Sequence, residues 1–266
     1  MLTNFHTHST FCDGCSTVEE MVQTAIEKNF IALGFSGHTY DPTSLSYCIR
    51  DMAGYMEEVK RVREKYKNQI QIYLGIEEES TCWVNRADFD YILGSSHKFY
   101  VDGKAYDVDG SPAEFDTCLA LFEGDELRMA ETYFREFTEY VLKRKPDIVG
   151  HFDLLTKFEE RGNSSFFQKP EYHRIAETYL TEALGSGCVF EVNTGAISRG
   201  YRTSPYPHER LLHVMKKNDA KLILTSDCHN AKDLDCHFEE TKQILRDVGI
   251  RKLYTIYDHE WVTYSI

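Results

Sequence analysis

Positive charge is what this sequence has too little of. Thirty Lys and Arg stand against 43 Asp and Glu, a formal net charge of −13. Without a basic surplus to displace phosphate counterions, nonspecific duplex binding and attachment to an anionic membrane surface are disfavoured. A small phosphorylated substrate is not, because it needs only two or three local cations. Long apolar runs are also missing: none approaches the roughly 20 residues that span a bilayer. The opening MLTNFHTHSTFCD lacks the charged-then-apolar layout of a signal peptide, so a cytoplasmic location is expected. Closely spaced cysteines are scarce. The eight are scattered at 12, 15, 48, 82, 118, 188, 228 and 236, too dispersed for a disulfide scaffold. Only Cys12 and Cys15 form a CxxC pair. A structural zinc site wants a second close pair, and Cys228 with Cys236 is a poor one. Most of these thiols are expected to be reduced and packed, with a redox role left open for Cys12 and Cys15.

What is there is a repeating pattern: a short β-branched run, a polar loop, then an amphipathic stretch. Strand-like runs fall at 2–6, 31–36, 70–76, 89–94, 147–150, 188–193 and 221–225. Helical spacing is predicted from Ser16 through Ile26 and over 51–66, 126–143, 170–184, 207–217 and 238–248. Strands alternating with helices indicate parallel βαβ units, and seven of them suggest a closed or nearly closed barrel. Two connections, 97–125 and 152–169, are long enough to act as lids or binding loops. With no repeat, low-complexity segment or linker in view, one domain over 1–266 is expected.

Chemistry gathers after the strands. His6 and His8 are two apart, so on an extended strand they share a face. Asp13 follows five residues later. The next runs deliver His38, Glu77, His97, His151 (with Asp153 two on), and finally Asp227 and His229. Each has a plainer reading alone: a solvated histidine, one member of the acidic run Glu77–Glu79, a helix N-cap at Asp227. Jointly, six of the eleven histidines sit at carboxyl ends of predicted strands, where the active face of a barrel gathers. Nine candidates are too many for one tetrahedral ion, whereas bridging carboxylates would let them hold two or three. Mixed nitrogen and oxygen ligation without thiolate suits zinc, manganese or iron.

As a set, HTH at 6–8, GH at 37–38, GIE at 75–77, SSH at 95–97, GHFD at 150–153 and SDCH at 226–229 resemble the PHP (polymerase and histidinol phosphatase) family. The opening motif, the insertion after SSH and the length look most like its monofunctional histidinol-phosphate phosphatases. The resemblance implies an α/β fold, a distorted seven-stranded TIM-like (β/α) barrel with a metal cluster at the C-terminal ends of the strands. It also implies three metals: one on His6, His8, Asp227 and bridging Glu77, a second on Glu77, His97 and His151, a third on Asp13, His38 and His229. Asp13 departs from the family, which often has His or Glu there. The implied reaction is hydrolysis of L-histidinol phosphate by a metal-bridging hydroxide, with Asp227 as a further orienting or deprotonating group. Arg161 and Arg199, which follow strands on the metal-bearing side, are the expected phosphate clamps, with Arg202 in reserve. Tyr100, Tyr106, Phe115, Asp102, Asp107 and Glu114 in the 98–124 insertion would stack on an imidazole and pair with an ammonium. The alternatives are a PHP phosphoesterase for nucleotides or other small monoesters, and an inactive metal-binding regulatory module.

Overall fold

In the computed structural model, which describes residues 1–266, seven strands lie parallel in one curved sheet. In chain order the elements begin β1 (Thr3–Asn4), α1 (Val18–Glu27), β2 (Ala32–Phe35), α2 (Met52–Tyr66), β3 (Gln71–Glu79) and β4 (Tyr91–Ser95). The chain continues with β5 (Lys98–Val101), β6 (Lys104–Asp107), α3 (Pro112–Leu121), α4 (Glu126–Arg144), β7 (Ile148–Val149) and α5 (Pro170–Leu184). Then come β8 (Val189–Asn193), α6 (Gly195–Ser198), α7 (Glu209–Lys217), β9 (Lys221–Thr225), α8 (Phe238–Val248), β10 (Lys252–Tyr257) and β11 (Glu260–Ser265). The sheet order is β1-β2-β3-β4-β7-β8-β9. It nearly closes on itself: Thr7 bridges Cys228 in parallel, the His8 amide donates to the Cys228 carbonyl at 3.0 Å, and Asn4 Nδ2 donates to Ser226 Oγ at 2.6 Å. This is the α/β, TIM-like barrel expected, distorted because β1 and β9 meet through side chains and one bridge instead of a full ladder.

Period-two alternation divides the barrel interior into layers. At the N-terminal end of the strands Phe5, Ala32, Tyr73, Tyr91, Ile148, Val189 and Ile223 pack into one apolar cluster. Gly75, on the same face of β3 as Tyr73, has no room for a side chain: a Cβ there would meet the Tyr91 ring at 2.2 Å. That ring passes through the interior so that its hydroxyl can donate to the Phe5 carbonyl at 2.8 Å, fixing β1 against the sheet. Two residues further along β3, Glu77 faces the same way into the polar half. The pleat sends its neighbour Glu78 outward, where Arg144 grips it through Nε and Nη2, both at 2.7 Å. The acidic run is therefore split between interior and exterior.

Three segments differ from expectation. The 98–124 stretch is not an open loop but the β5–β6 hairpin followed by α3, and 152–169 is a chain of short 3-10 turns. Residues 252–265, given no element from sequence, form the antiparallel β10–β11 hairpin. It covers the N-terminal end of the barrel, with Ile256 in the apolar cluster and Thr255 Oγ1 2.7 Å from Thr3 Oγ1. Its alternation was readable, and its turn residues Asp258 and His259 both have positive φ, as a two-residue hairpin turn demands. All eight cysteines are free, and no helix is long and apolar enough to cross a membrane.

Candidate metal centre

Above the apolar layer the strand ends turn polar, and all nine candidate ligands converge there. The pivot is Glu77, 1% exposed. Its Oε1 lies 3.2 Å from His97 Nε2 and 3.1 Å from His151 Nε2. Its Oε2 lies 2.9 Å from His38 Nδ1, 3.3 Å from His6 Nε2 and 3.5 Å from His8 Nε2. Asp227 Oδ1 adds contacts of 3.6 and 3.3 Å to His6 and His8 Nε2. Asp13 sits 3.1 Å from His229 Nε2, 3.7 Å from His38 Nε2 and 3.6 Å from His8 Nδ1. Their donor atoms form four groups: His6-His8-Asp227, His6-Glu77-His151, His38-Glu77-His97 and His8-Asp13-His38-His229. The first holds three of the four residues expected for one ion and lacks Glu77. The second and third both contain Glu77 but separate His151 from His97, which were expected to share one ion, and the fourth adds His8 to the third expected set.

The spacing carries chemical information. Ligand atoms around a tetrahedral ion at about 2.0–2.1 Å lie roughly 3.3 Å apart, and the distances above bracket that value. His6 Nε2, His8 Nε2 and Glu77 Oε2 are buried and make no hydrogen bond of adequate geometry despite these close approaches. Each such orphan costs about 1–3 kcal/mol. Lone pairs that converge on a common point instead of on one another fit a divalent cation.

Electrostatics divide the donors: burial lowers His6, His38 and His97, but neighbouring carboxylates outweigh it and raise all three, Glu191 foremost for His6 and Glu77 for His38 and His97. Burial, and next the neighbouring His229 and His38, push His8 down to about 3, so it is neutral with a free lone pair near pH 7. Burial opposes ionisation of Glu77, but the imidazoles of His6, His38 and His97 outweigh it and hold the carboxyl well below its usual range. For Asp227 the same contest is won by Arg199 and then His6. Asp227 also has φ +47°, a left-handed backbone state uncommon outside glycine, to which Asp is better suited than most side chains. Gly195 makes room for it: a Cβ there would come within 2.9 Å of Asp227 Oδ2 and 3.0 Å of Arg199 Nη2.

Behind the donors stand residues not singled out from the sequence. Glu191, in the middle of β8, accepts from His6 Nδ1 at 2.6 Å, from Thr225 Oγ1 at 2.6 Å and from the His151 amide at 2.7 Å. Glu79 accepts from His97 Nδ1 at 3.0 Å. Outer partners of this kind fix the tautomer and angle of ligating histidines. The available signal was a charged residue inside the apolar run VFEVN and the same-face spacing of Glu77 and Glu79.

A cavity of about 360 Å³ opens directly on this cluster. Arg199 lines it, with Nη2 on Asp227 Oδ2 at 3.0 Å and Nη1 on the Asp227 carbonyl at 2.8 Å. Arg161 does not. It is exposed, donates to the Gly200 carbonyl at 2.8 Å and stacks 4.8 Å over Tyr201, a ring that does line the cavity. Arg202 is buried away from it, donating to Thr156 Oγ1 at 3.0 Å and lying over the Tyr206 ring. The second lining cation is Lys157, which sequence reasoning missed because nothing in its local pattern marks it. Of the insertion residues, Asp107 and Glu114 reach the cavity, joined by Asp109. Phe115 is fully buried in the core, Tyr106 packs against that core, and Tyr100 bonds Asp41 instead. Asp102 lies exposed at the hairpin turn, and the aromatic lining comes from Tyr47 and Tyr201.

Comparison with known proteins agrees with this architecture. The PHP domain profile matches residues 4–195. A "Probable histidinol-phosphatase" from Schizosaccharomyces pombe is 26% identical over 274 residues, covering 94% of this chain and 88% of the relative. The "Histidinol-phosphatase" of Bacillus subtilis is 23% identical over 259 residues, covering 88% of this chain and 96% of that one. The Lactococcus lactis histidinol phosphate phosphatase, crystallised with zinc, L-histidinol and phosphate, superposes with a TM-score of 0.68 at 18% identity over 98% of both chains. With the profile spanning most of its length, from β1 to α6, the chain belongs to the PHP domain family.

Proposed function

We propose that the chain is a metal-dependent phosphomonoester hydrolase that converts L-histidinol phosphate to L-histidinol and phosphate. The observation that carries this reading is Glu77, held among five imidazoles beside unpartnered buried donor atoms and a cavity of substrate size. The relatives named above support the substrate. Two or three divalent ions, of zinc, manganese or iron, would be held by His6, His8, Asp227, Glu77, His97, His151, Asp13, His38 and His229. Bound there, they would lower the pKa of a coordinated water and offset phosphate charge.

The chain's own groups do the rest. Arg199 presents guanidinium N–H groups at the cavity wall for phosphate oxygens, and Arg161 lies one ring behind it on Tyr201. Asp227 is anchored by Arg199 through Oδ2, leaving Oδ1 directed at the donors, where it can orient a nucleophile or hold its proton. The acids that also line the cavity, Asp107, Asp109 and Glu114, favour a substrate that carries a cation, and they count against polyanionic nucleotides.

The direct test is phosphate release by the purified protein from L-histidinol phosphate and from a panel of nucleotides and other monoesters, with and without chelator. L-Histidinol phosphate should be the best substrate, chelation should abolish release, and zinc, manganese or iron should restore it. A silent panel after reloading with each metal overturns the enzyme reading, and a preferred nucleotide overturns the substrate. Arg199→Ala removes charge-assisted hydrogen bonds worth about 1.5–3 kcal/mol, so kcat/KM should fall roughly 10- to 100-fold with ion content unchanged. Kinetics like those of the wild type would remove Arg199 from the phosphate site.

A further inference from the structure

Apart from the candidate ligands and the arginine on Asp227, one pair of opposite charges meets inside the cavity. Lys157 Nζ donates to Asp109 Oδ2 at 3.0 Å and to the Asp109 carbonyl at 2.6 Å, and both residues line the wall. The pair is largely shielded, with side-chain exposures of 9% and 20%. The ammonium also lies 4.9 Å from the centre of the Tyr201 ring and 5.7 Å from that of Phe158. Those faces can hold a cation whose carboxylate partner has turned elsewhere. Asp107 and Glu114 complete an acidic wall around Asp109.

We propose that Lys157 and Asp109 form an exchangeable ion pair that selects phosphomonoesters bearing an ammonium group. The inference rests on the phosphomonoesterase reading above. A buried charge is tolerated only while it is paired. A zwitterionic substrate replaces both partners at once: its phosphate takes Lys157 and its ammonium takes Asp109, so neither residue is stranded. A phosphomonoester without the amine also takes Lys157, but it leaves the Asp109 carboxylate unpaired beside an incoming dianion. Discrimination then comes from a repulsive element as well as from an attractive one, and sites that strand a buried polar group reject analogues strongly.

The test compares L-histidinol phosphate with its deaminated counterpart, 3-(imidazol-4-yl)propyl phosphate, using the metal-loaded protein and phosphate release. The wild type should favour the aminated compound by about a hundredfold or more in kcat/KM. Asp109→Asn should bring the ratio below about ten by moving the two substrates in opposite directions, the aminated slower and the deaminated faster. Mere structural damage would slow both. Lys157→Met should slow both substrates without lowering the ratio, and it decides the matter if the asparagine variant does not fold. A wild-type ratio near one, equal losses in Asp109→Asn, or a ratio that falls in Lys157→Met overturns the proposal. A wild type that hydrolyses neither compound instead overturns the phosphomonoesterase reading.

Discussion

Glu77→Gln is expected to cut kcat/KM for phosphate release by at least about a thousandfold, because ions at such a site stabilise the transition state by several kcal/mol and each 1.36 kcal/mol is a factor of ten. The substitution keeps the shape and removes the charge. In the wild type one carboxylate meets the imidazoles of His97 and His151 through Oε1 and those of His38, His6 and His8 through Oε2. An amide would offer one acceptor oxygen and turn an NH2 group toward nitrogens that must present lone pairs to a cation. Two of the four donor groups contain Glu77, so the loss should extend to ion content. Elemental analysis beside the kinetics checks this. A variant retaining full metal and activity would show that Glu77 is not the bridge.

The second large effect is expected in stability. Glu191→Gln should destabilise the protein by about 3 kcal/mol or more, since it leaves buried donors facing a donor. In the wild type the two oxygens accept four hydrogen bonds: from His6 Nδ1 and Thr225 Oγ1 on Oε1, and from the His151 amide and Asn193 Nδ2 on Oε2. A carboxylate can only accept, so it also dictates that His6 carries a proton on Nδ1. Glutamine can satisfy one side of this arrangement and must clash with the other. At about 2–4 °C per kcal/mol for a chain of this size, the melting temperature of the metal-stripped protein should fall by roughly 6–12 °C. A drop under about 2 °C would mean that Glu191 does not tie these strands together.

These two glutamates show what could and could not be read in advance. Glu77 was visible because it ends a β-branched run and sits in register with other strand-end ligands. Glu191 lies in a run just as apolar, yet its role depends on His6, 185 residues earlier, and on Thr225, 34 residues later. The helices over Pro170–Leu184 and Phe238–Val248 were readable to the residue, because a proline opens the first and a glycine follows the end of each. The 98–124 insertion was not, since its hairpin turns on Asp102 and Gly103 in left-handed backbone and Phe99, Phe115 and Phe122 serve the core. Lys157 and Asp109 come from two connections that meet only once the barrel has formed. Local pattern records which way a side chain faces; which distant side chain it will meet is a property of the closed fold.

The seam between β1 and β9 also has a consequence for the order in which the molecule is built. His6 and His8 stand beside Asn4, which is held by Ser226, while Thr3 in β1 is held by Thr255 in the terminal hairpin; the sequence separations are 222 and 252 residues. A chain emerging from the ribosome has made two of its imidazoles long before it has made the strands that hold them. Pairing at such separation carries a high loop-closure cost and comes late in folding. The corner formed by His6, His8 and Asp227 is thus completed among the last events, and the nascent chain offers only scattered imidazoles and carboxylates in its place.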